Sequence, residues 1–320
     1  MIPTFRKQTM QQERNVVIVG GGTMGCDVAA IFHAAGWPVQ IVEPAAETRD
    51  LLPARIQAAA RAIGANPVSA PRAPLAALRD VQWQGVALVI ECAPETLALK
   101  QAIFAELEGL SPAHVPLTSN SSSLPISAIG EGLRTRDRMI GLHFFMPAHL
   151  VPAVEVVRSQ YSSEAVVAQV TDIMKQVRKK PVQVKRDVPG FLANRIQHAM
   201  MREAIALVEE GFASAEDVDV AVRYGFGFRL IAAGPLLQKD LAGIDIHCAA
   251  ATTMYPHLRN DARPSALMRK LVEQGDIGVK SPSKKGFYEW DDAAIARERQ
   301  RYERALKKAW QILKDEDDAM

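Results

Sequence analysis

Apolar positions fall in short blocks along the first half of the chain. Val16 to Val19 is β-branched and apolar on both faces, the pattern of a parallel strand covered on both sides. Val28 to Ala35 is alanine-rich and helix-prone, and Gly36 ends it. Val39 to Val42 reads as a second short strand, so NVVIVGGGTMGCDVAAIFHAAGWPVQIVE is a βαβ opening. The alternation continues: GVALVIE, VPLTSN and RMIGLHFF read as strands. TLALKQAIFAELEGL has helical spacing, with Leu97, Ile103, Phe104 and Leu107 on one side. VPAVEVV reads as an edge strand or the start of one.

The pattern changes near KRDVPGFLANRIQHAMMREAIALVEEG. Pro189-Gly190 breaks the preceding element, and a long helical pattern runs from about Phe191 to Glu210, closed by Gly211. SAED, Ser214 to Asp217, has a capping-box pattern for another helix. Beyond it helical signals dominate. The expected organisation is an α/β domain at 14–186, a helical domain at 187–290, and an amphipathic helix at 291–320. In that last helix Ile295, Tyr302, Leu306, Trp310 and Leu313 share one face, suited to docking on its own domain or on a partner subunit.

A chain of 320 residues with 48% hydrophobic residues has ample core for two domains. The formal net charge of +2 implies no strong field for nucleic acid or an anionic membrane. No run approaches the ~18 apolar residues of a membrane span. The leader MIPTFRKQTMQQERN lacks the apolar segment of a signal peptide. Cys26, Cys92 and Cys248 are far apart and form no disulfide framework, which fits a reducing cytoplasm.

Gly20-x-Gly22-x-x-Gly25 sits between strand and helix. Alone the spacing is weak, but this context is the one it needs. Gly20 permits the tight turn, Gly22 lets a pyrophosphate approach the backbone, and Gly25 lets helix pack on strand. Thr23 and Met24 complete the expected cofactor loop. Glu43 ends the second strand 18 residues past Gly25, where a carboxylate accepts from ribose hydroxyls and repels a 2′-phosphate. The expected cofactor is NAD rather than NADP or FAD.

GLHFFMPAHLVPAVEVV holds His143 and, twelve residues on, Glu155, both inside apolar runs. Ionisable groups in such runs are either a satisfied structural pair or a working centre. A histidine titrating near neutrality with a carboxylate beside it is the base and orienter that alcohol oxidation requires. The remaining histidines show no metal-ligand spacing, so no metal is expected.

Taken together, VIVGGGTMG, VIECAPETLALKQAIFAEL, SNSSSLPIS, GLHFFMP, PAVEVV, DVPGFLANRI and GVKSPSKKGFYEW occur in an order that resembles the L-3-hydroxyacyl-CoA dehydrogenase family. Its relatives include carnitine and gulonate dehydrogenases and the λ-crystallins. The resemblance covers roughly Asn15 to Trp290. It implies an α/β fold: a Rossmann-type N-terminal domain, an all-α C-terminal domain, a dimer through the latter and an active site in the cleft between them. The family's catalytic histidine falls on His143 and its glutamate on Glu155. Its hydroxyl-binding serine matches Ser122 and its substrate-side asparagine Asn194. Cofactor contacts carry over to Glu95, Lys100 and Asn120. The implied reaction is NAD-dependent oxidation of the 3-hydroxyl of a short 3-hydroxyacyl substrate.

Three departures blur the substrate. Met146 stands where the family commonly has asparagine after HFF. The segment between Glu43 and Val86 looks trimmed where CoA-dependent members carry a helical hairpin, although Arg55, Arg61 and Arg72 offer cations there. GFGFRLIAAGPLLQKDLAGID replaces the usual motif, and its Arg229 suits a free carboxylate, as in the carnitine and gulonate branch, or a salt bridge. The alternatives are a free 3-hydroxy acid dehydrogenase using Arg229 and, in another class, a non-catalytic NAD-binding, crystallin-like protein.

Overall fold

The computed structural model describes residues 14–65 and 71–319. Most of the leader, with the expectation that it carries no signal peptide, lies outside them. The chain divides into two compact units, one ending at Leu192 and the next opening at Ala193.

The first unit is a seven-stranded sheet. Its elements are β1 (Asn15–Val19), α1 (Thr23–Ala34), β2 (Val39–Val42), α2 (Ala46–Ala62), β3 (Val86–Glu91), α3 (Leu97–Leu110), β4 (Leu117–Ser119), α4 (Ile126–Ile129), β5 (Met139–Phe144), β6 (Ala153–Val157), α5 (Glu164–Gln176) and β7 (Lys180–Val184). Strand order is β2-β1-β3-β4-β5-β6-β7. The first five strands are mutually parallel, β6 runs antiparallel to β5, and β7 parallel to β6.

Both faces of this sheet are packed, which is why β1 is apolar at every position from Val16 to Val19. Val16 and Ile18 join one core with α1, α2 and α5, while Val17 and Val19 join the other with Phe104 and Leu107 of α3. Helix α1 starts at Thr23, inside the glycine motif and earlier than the alanine-rich run suggested. It ends as expected: Gly36 takes φ +78, and Trp37 N–H bonds back to Phe32.

One expectation is corrected. VPAVEVV forms β6, which lies inside the sheet; the edge is β7, whose Pro181 lacks the N–H an inner strand would need. The segment after Glu43 forms a 17-residue helix, α2, that tolerates Pro53. Among the described residues up to β3 it is followed only by a turn of 3-10 helix at Leu78–Asp80, a single helix in place of a hairpin.

The second unit is helical: α6 (Ala193–Glu209), α7 (Ala215–Val220), α8 (Gly227–Arg229), α9 (Pro235–Ala242), α10 (Ile244–Met254), α11 (Ala266–Glu273) and α12 (Asp292–Ala319), with short 3-10 and π turns between some of them. Ser214 caps α7 by accepting from Asp217 N–H at 3.1 Å. Helix α6 begins two residues later than the periodicity indicated, because Gly190 and Phe191 both take positive φ and form a turn.

Candidate active site

The glycine turn joins β1 to α1 and is shaped by contact. Gly20 takes φ +104, and a Cβ there would stand 2.8 Å from the Cys92 carbonyl oxygen. A Cβ on Gly25 would lie 1.9 Å from the Gly20 carbonyl oxygen. At Gly22, by contrast, a Cβ would meet nothing within 4 Å. The turn is therefore closed on the protein side and open at the residue where a pyrophosphate approaches the N-terminus of α1, so these residues fit NAD. Thr23 and Met24 form the first turn of α1 beside it.

Glu43 follows the end of β2. Its Oε2 accepts from Gly21 N–H at 2.7 Å and its Oε1 from Ala45 N–H at 2.9 Å. Each carboxylate oxygen keeps acceptor capacity for a ribose hydroxyl. The same bonds hold the glycine turn against the tip of β2.

A buried network extends the wall. Glu91, at the end of β3, accepts from Lys100 Nζ at 2.7 and 3.0 Å, from Ala93 N–H at 2.6 Å and from Ser119 Oγ at 2.6 Å. Lys100 also donates to the Ala93 carbonyl and lies 3.4 Å from Glu95. Glu95 in turn gathers the serine loop: Ser121 Oγ at 2.6 Å, Ser123 Oγ at 2.9 Å, and the N–H groups of Ser122 and Ser123. Burial acts to raise the Glu95 carboxyl, but the bonds from Ser121 and Ser123, with Lys100 beside it, hold it below the usual carboxylate range. Glu95 and Lys100 thus serve here as organisers of the loops at the strand ends. Asn120 accepts from Phe144 N–H at 2.8 Å and pins the end of β5. Burial pushes the Cys92 thiol far up.

His143 and Glu155 are direct register partners across the antiparallel β5–β6 pair. Opposite residues in such a pair share a face, and here they are joined by a 2.7 Å bond between His143 Nδ1 and Glu155 Oε2. Both are buried. Phe145 and Phe191 stand against the imidazole, with ring centroids 4.8 and 5.7 Å away. Glu155 Oε1 accepts from Leu192 N–H at 3.1 Å.

Of the expected site residues, the first unit holds the glycine turn, Glu43, Glu95, Asn120 and Ser122 at or just beyond strand ends, Lys100 in the first turn of α3, and His143 and Glu155 within β5 and β6. Asn194 lies in the first turn of α6, and the exposed Arg229 ends α8, both in the second unit. Met146 is 66% exposed. Sequence reasoning missed Glu91, Ser119, Ser121 and Phe191. Glu91 closes the apolar run VALVIE, the same signal that singled out His143.

Residues 15–188 match the family described as 3-hydroxyacyl-CoA dehydrogenase, NAD binding domain. Residues 190–290 match 3-hydroxyacyl-CoA dehydrogenase, C-terminal domain. The chain belongs to the 3-hydroxyacyl-CoA dehydrogenase family.

Members of that family are NAD-dependent oxidoreductases acting on a CH–OH group, so the motif resemblance, the fold class and the cofactor are borne out. The chain is 30% identical over 273 residues to the 5-formyl-3-hydroxy-2-methylpyridine 4-carboxylate 5-dehydrogenase of Mesorhizobium japonicum, covering 84% of this chain and 88% of that protein. It is 34% identical over 286 residues to 3-hydroxybutyryl-CoA dehydrogenase of Mycobacterium tuberculosis, covering 86% of this chain and 98% of that protein. It spans 59% of the longer 3-hydroxyadipyl-CoA dehydrogenase of Escherichia coli. Among solved structures, a 5-formyl-3-hydroxy-2-methylpyridine 4-carboxylic acid 5-dehydrogenase, described as an NAD+-dependent dismutase, matches with TM-score 0.85 and 28% identity, covering 94% of this chain and 98% of that one.

Proposed function

We propose that this family member oxidises the 3-hydroxyl of a short 3-hydroxyacyl-CoA to the ketone, with His143 as base and Glu155 as its orienter. The observation that carries the reading is the buried 2.7 Å bond between two residues that face each other in strand register. An ionised carboxylate only accepts, so Glu155 takes the Nδ1–H and fixes the tautomer in which Nε2 holds the lone pair. Nε2 then removes the hydroxyl proton as the carbon-bound hydrogen leaves as hydride. The resulting imidazolium is stabilised by Glu155 across the same bond. NAD, when bound, supplies the hydride acceptor. In this reading Ser122 and Asn194 donate hydrogen bonds to the reacting oxygen, and Glu43 selects NAD by taking the ribose hydroxyls.

A second reading is a free carboxylic acid as substrate. It is favoured by the close likeness to a dehydrogenase of a pyridine carboxylate, by Met146 in place of an amide, and by Arg229 as the carboxylate's partner. The protein is a homodimer through its helical unit in this proposal. Its support is the apolar surface there: Leu236, Leu241 and Phe228 are 81%, 76% and 73% exposed in a single chain. The three free thiols support a reducing cytoplasm. No membrane or nucleic-acid partner enters; no helix of the described residues is long and apolar enough to cross a membrane.

The test is NADH consumption with acetoacetyl-CoA, a panel of free 3-keto acids and an aromatic aldehyde acid in parallel. Turnover of acetoacetyl-CoA is expected. Turnover confined to a free acid, and lost in Arg229→Ala, replaces the first reading with the second. No turnover of any of them, with NADH bound tightly, overturns both.

A further inference from the structure

Phe191 sits in a conformation its side chain does not favour. It takes φ +47 directly after Gly190 at φ +75, and it is 2% exposed. Glycine is at ease there; a bulky L residue is not, so such a residue persists only where its surroundings require it. The turn is held on both sides. Before it, Asp187 Oδ2 accepts from Ser127 N–H at 2.7 Å, next to the start of α4. Within it, Phe191 N–H bonds to the Val188 carbonyl at 3.0 Å. After it, Leu192 N–H donates to Glu155.

Two consequences follow from the left-handed pair. The Phe191 ring turns inward, packs with Val157 of β6 and Val184 of β7, and stands 5.7 Å from the His143 ring at 59°. The next peptide swings back, so that Glu155 is held at both oxygens: Oε2 by His143 and Oε1 by Leu192. One turn thus supports both members of the pair, the imidazole by contact and the carboxylate by hydrogen bond.

We infer that Phe191 is a positioning residue for the His143–Glu155 pair: its left-handed turn buttresses the imidazole and aims Leu192 N–H at Glu155. This rests on the pair being the base and orienter of the proposed reaction. A carboxylate with both oxygens engaged is held against rotation away from Nδ1–H, and an imidazole packed by both Phe145 and Phe191 is restrained from swinging. The function of the strained turn is to keep Nε2 in place, where small displacements are costly to rate.

The experiment compares F191A, F191G and F191L with wild type. F191A deletes the ring at the same backbone cost. F191G deletes it too but relieves the backbone, offsetting part of the lost packing. F191L keeps apolar bulk. Three quantities are read: kcat and KM on whichever substrate the parallel assay turns over, NADH affinity by fluorescence, and the His143 Nδ1–H proton resonance, assigned by its absence in H143Q. F191G and F191A are expected to lose kcat by ~30-fold, within the range for a misplaced catalytic group. KM for NADH and NADH affinity stay near wild type, and the Nδ1–H resonance broadens or disappears. F191L restores most of kcat and the resonance.

The proposal is overturned if F191G keeps both kcat and the resonance. It is equally overturned if F191L loses as much as F191G and all three variants lose NADH binding in proportion, which is the mark of a general packing residue. The resonance keeps the two ideas separate. If H143Q leaves turnover intact, the catalytic reading of the pair fails, while broadening in F191G still reports whether Phe191 positions it.

Discussion

His143 carries the most direct test at the scale of single residues. His143→Gln retains polarity and approximate size but has no lone pair on a titrating ring, so kcat should fall by ~10³-fold. NADH affinity should remain within about twofold, a few tenths of a kcal/mol, because the glycine turn and Glu43 are untouched. Fluorescence titration and single-turnover kinetics measure the two, and a joint loss would make His143 a packing residue. The histidine was legible in the sequence because an ionisable group in an apolar run is costly unless used. The roles of Glu95 and Lys100 were less so. Glu95 answers to serines 26 and 28 residues downstream, and Lys100 to Glu91, nine residues back across a loop. Spacing along the chain carries no information about such pairings.

At the scale of elements, register matters most. His143 and Glu155 meet because β5 and β6 pair at that offset; a slip of one residue would put them on opposite faces. Gly141 helps set the pairing, since a Cβ there would lie 2.8 Å from the Val157 Cβ. The loop between the two strands is pinned by Lys179, which precedes β7 and donates to the carbonyls of Ala148 and Val151 at 2.6 and 2.7 Å. Burial pushes the Lys179 ammonium down to about 8, against a smaller raising effect of Asp27. The sign follows. Between pH 8 and the ordinary lysine value of 10.5, the unfolded chain holds this proton and the folded chain does not. Stability due to this group therefore rises with pH through that window, by roughly 3 kcal/mol in all. Urea unfolding of wild type and Lys179→Met at several pH values tests it. The stability of wild type relative to the variant should increase from pH 8 to 10; a flat difference would show that Lys179 titrates as an ordinary lysine.

At the scale of the molecule, the two units differ in how they satisfy their apolar residues. The first buries them against its own sheet on both faces. In the second, Ala206 is the one buried hydrophobic residue among those described, while Leu236, Leu237, Leu241, Ile244 and Ile246 stand exposed along α9 and α10. Apolar helices in this condition suit a partner surface, and in the proposed dimer a second copy is that partner. Wild type should sediment as a dimer at micromolar concentration, with a thermal midpoint that rises with protein concentration. Leu236→Asp combined with Leu241→Asp should shift it to monomer. A monomeric wild type with a concentration-independent midpoint would refute the proposed assembly.

The sequence by itself determined the βαβ opening, the glycine turn and its carboxylate, because those depend on residues within one local unit and on which backbone angles glycine allows. It also marked His143 and Glu155 as groups needing a reason to be buried. Tertiary structure decided that β6 lies inside the sheet, that its register sets Glu155 opposite His143, and that Glu91 ties the loop after β3 to α3 and to the end of β4. It also decided that Phe191 turns left-handed to reach the imidazole. Each of these depends on contacts between segments that approach only when the chain is folded, and a linear pattern of apolar and polar residues does not encode which strand lies beside which.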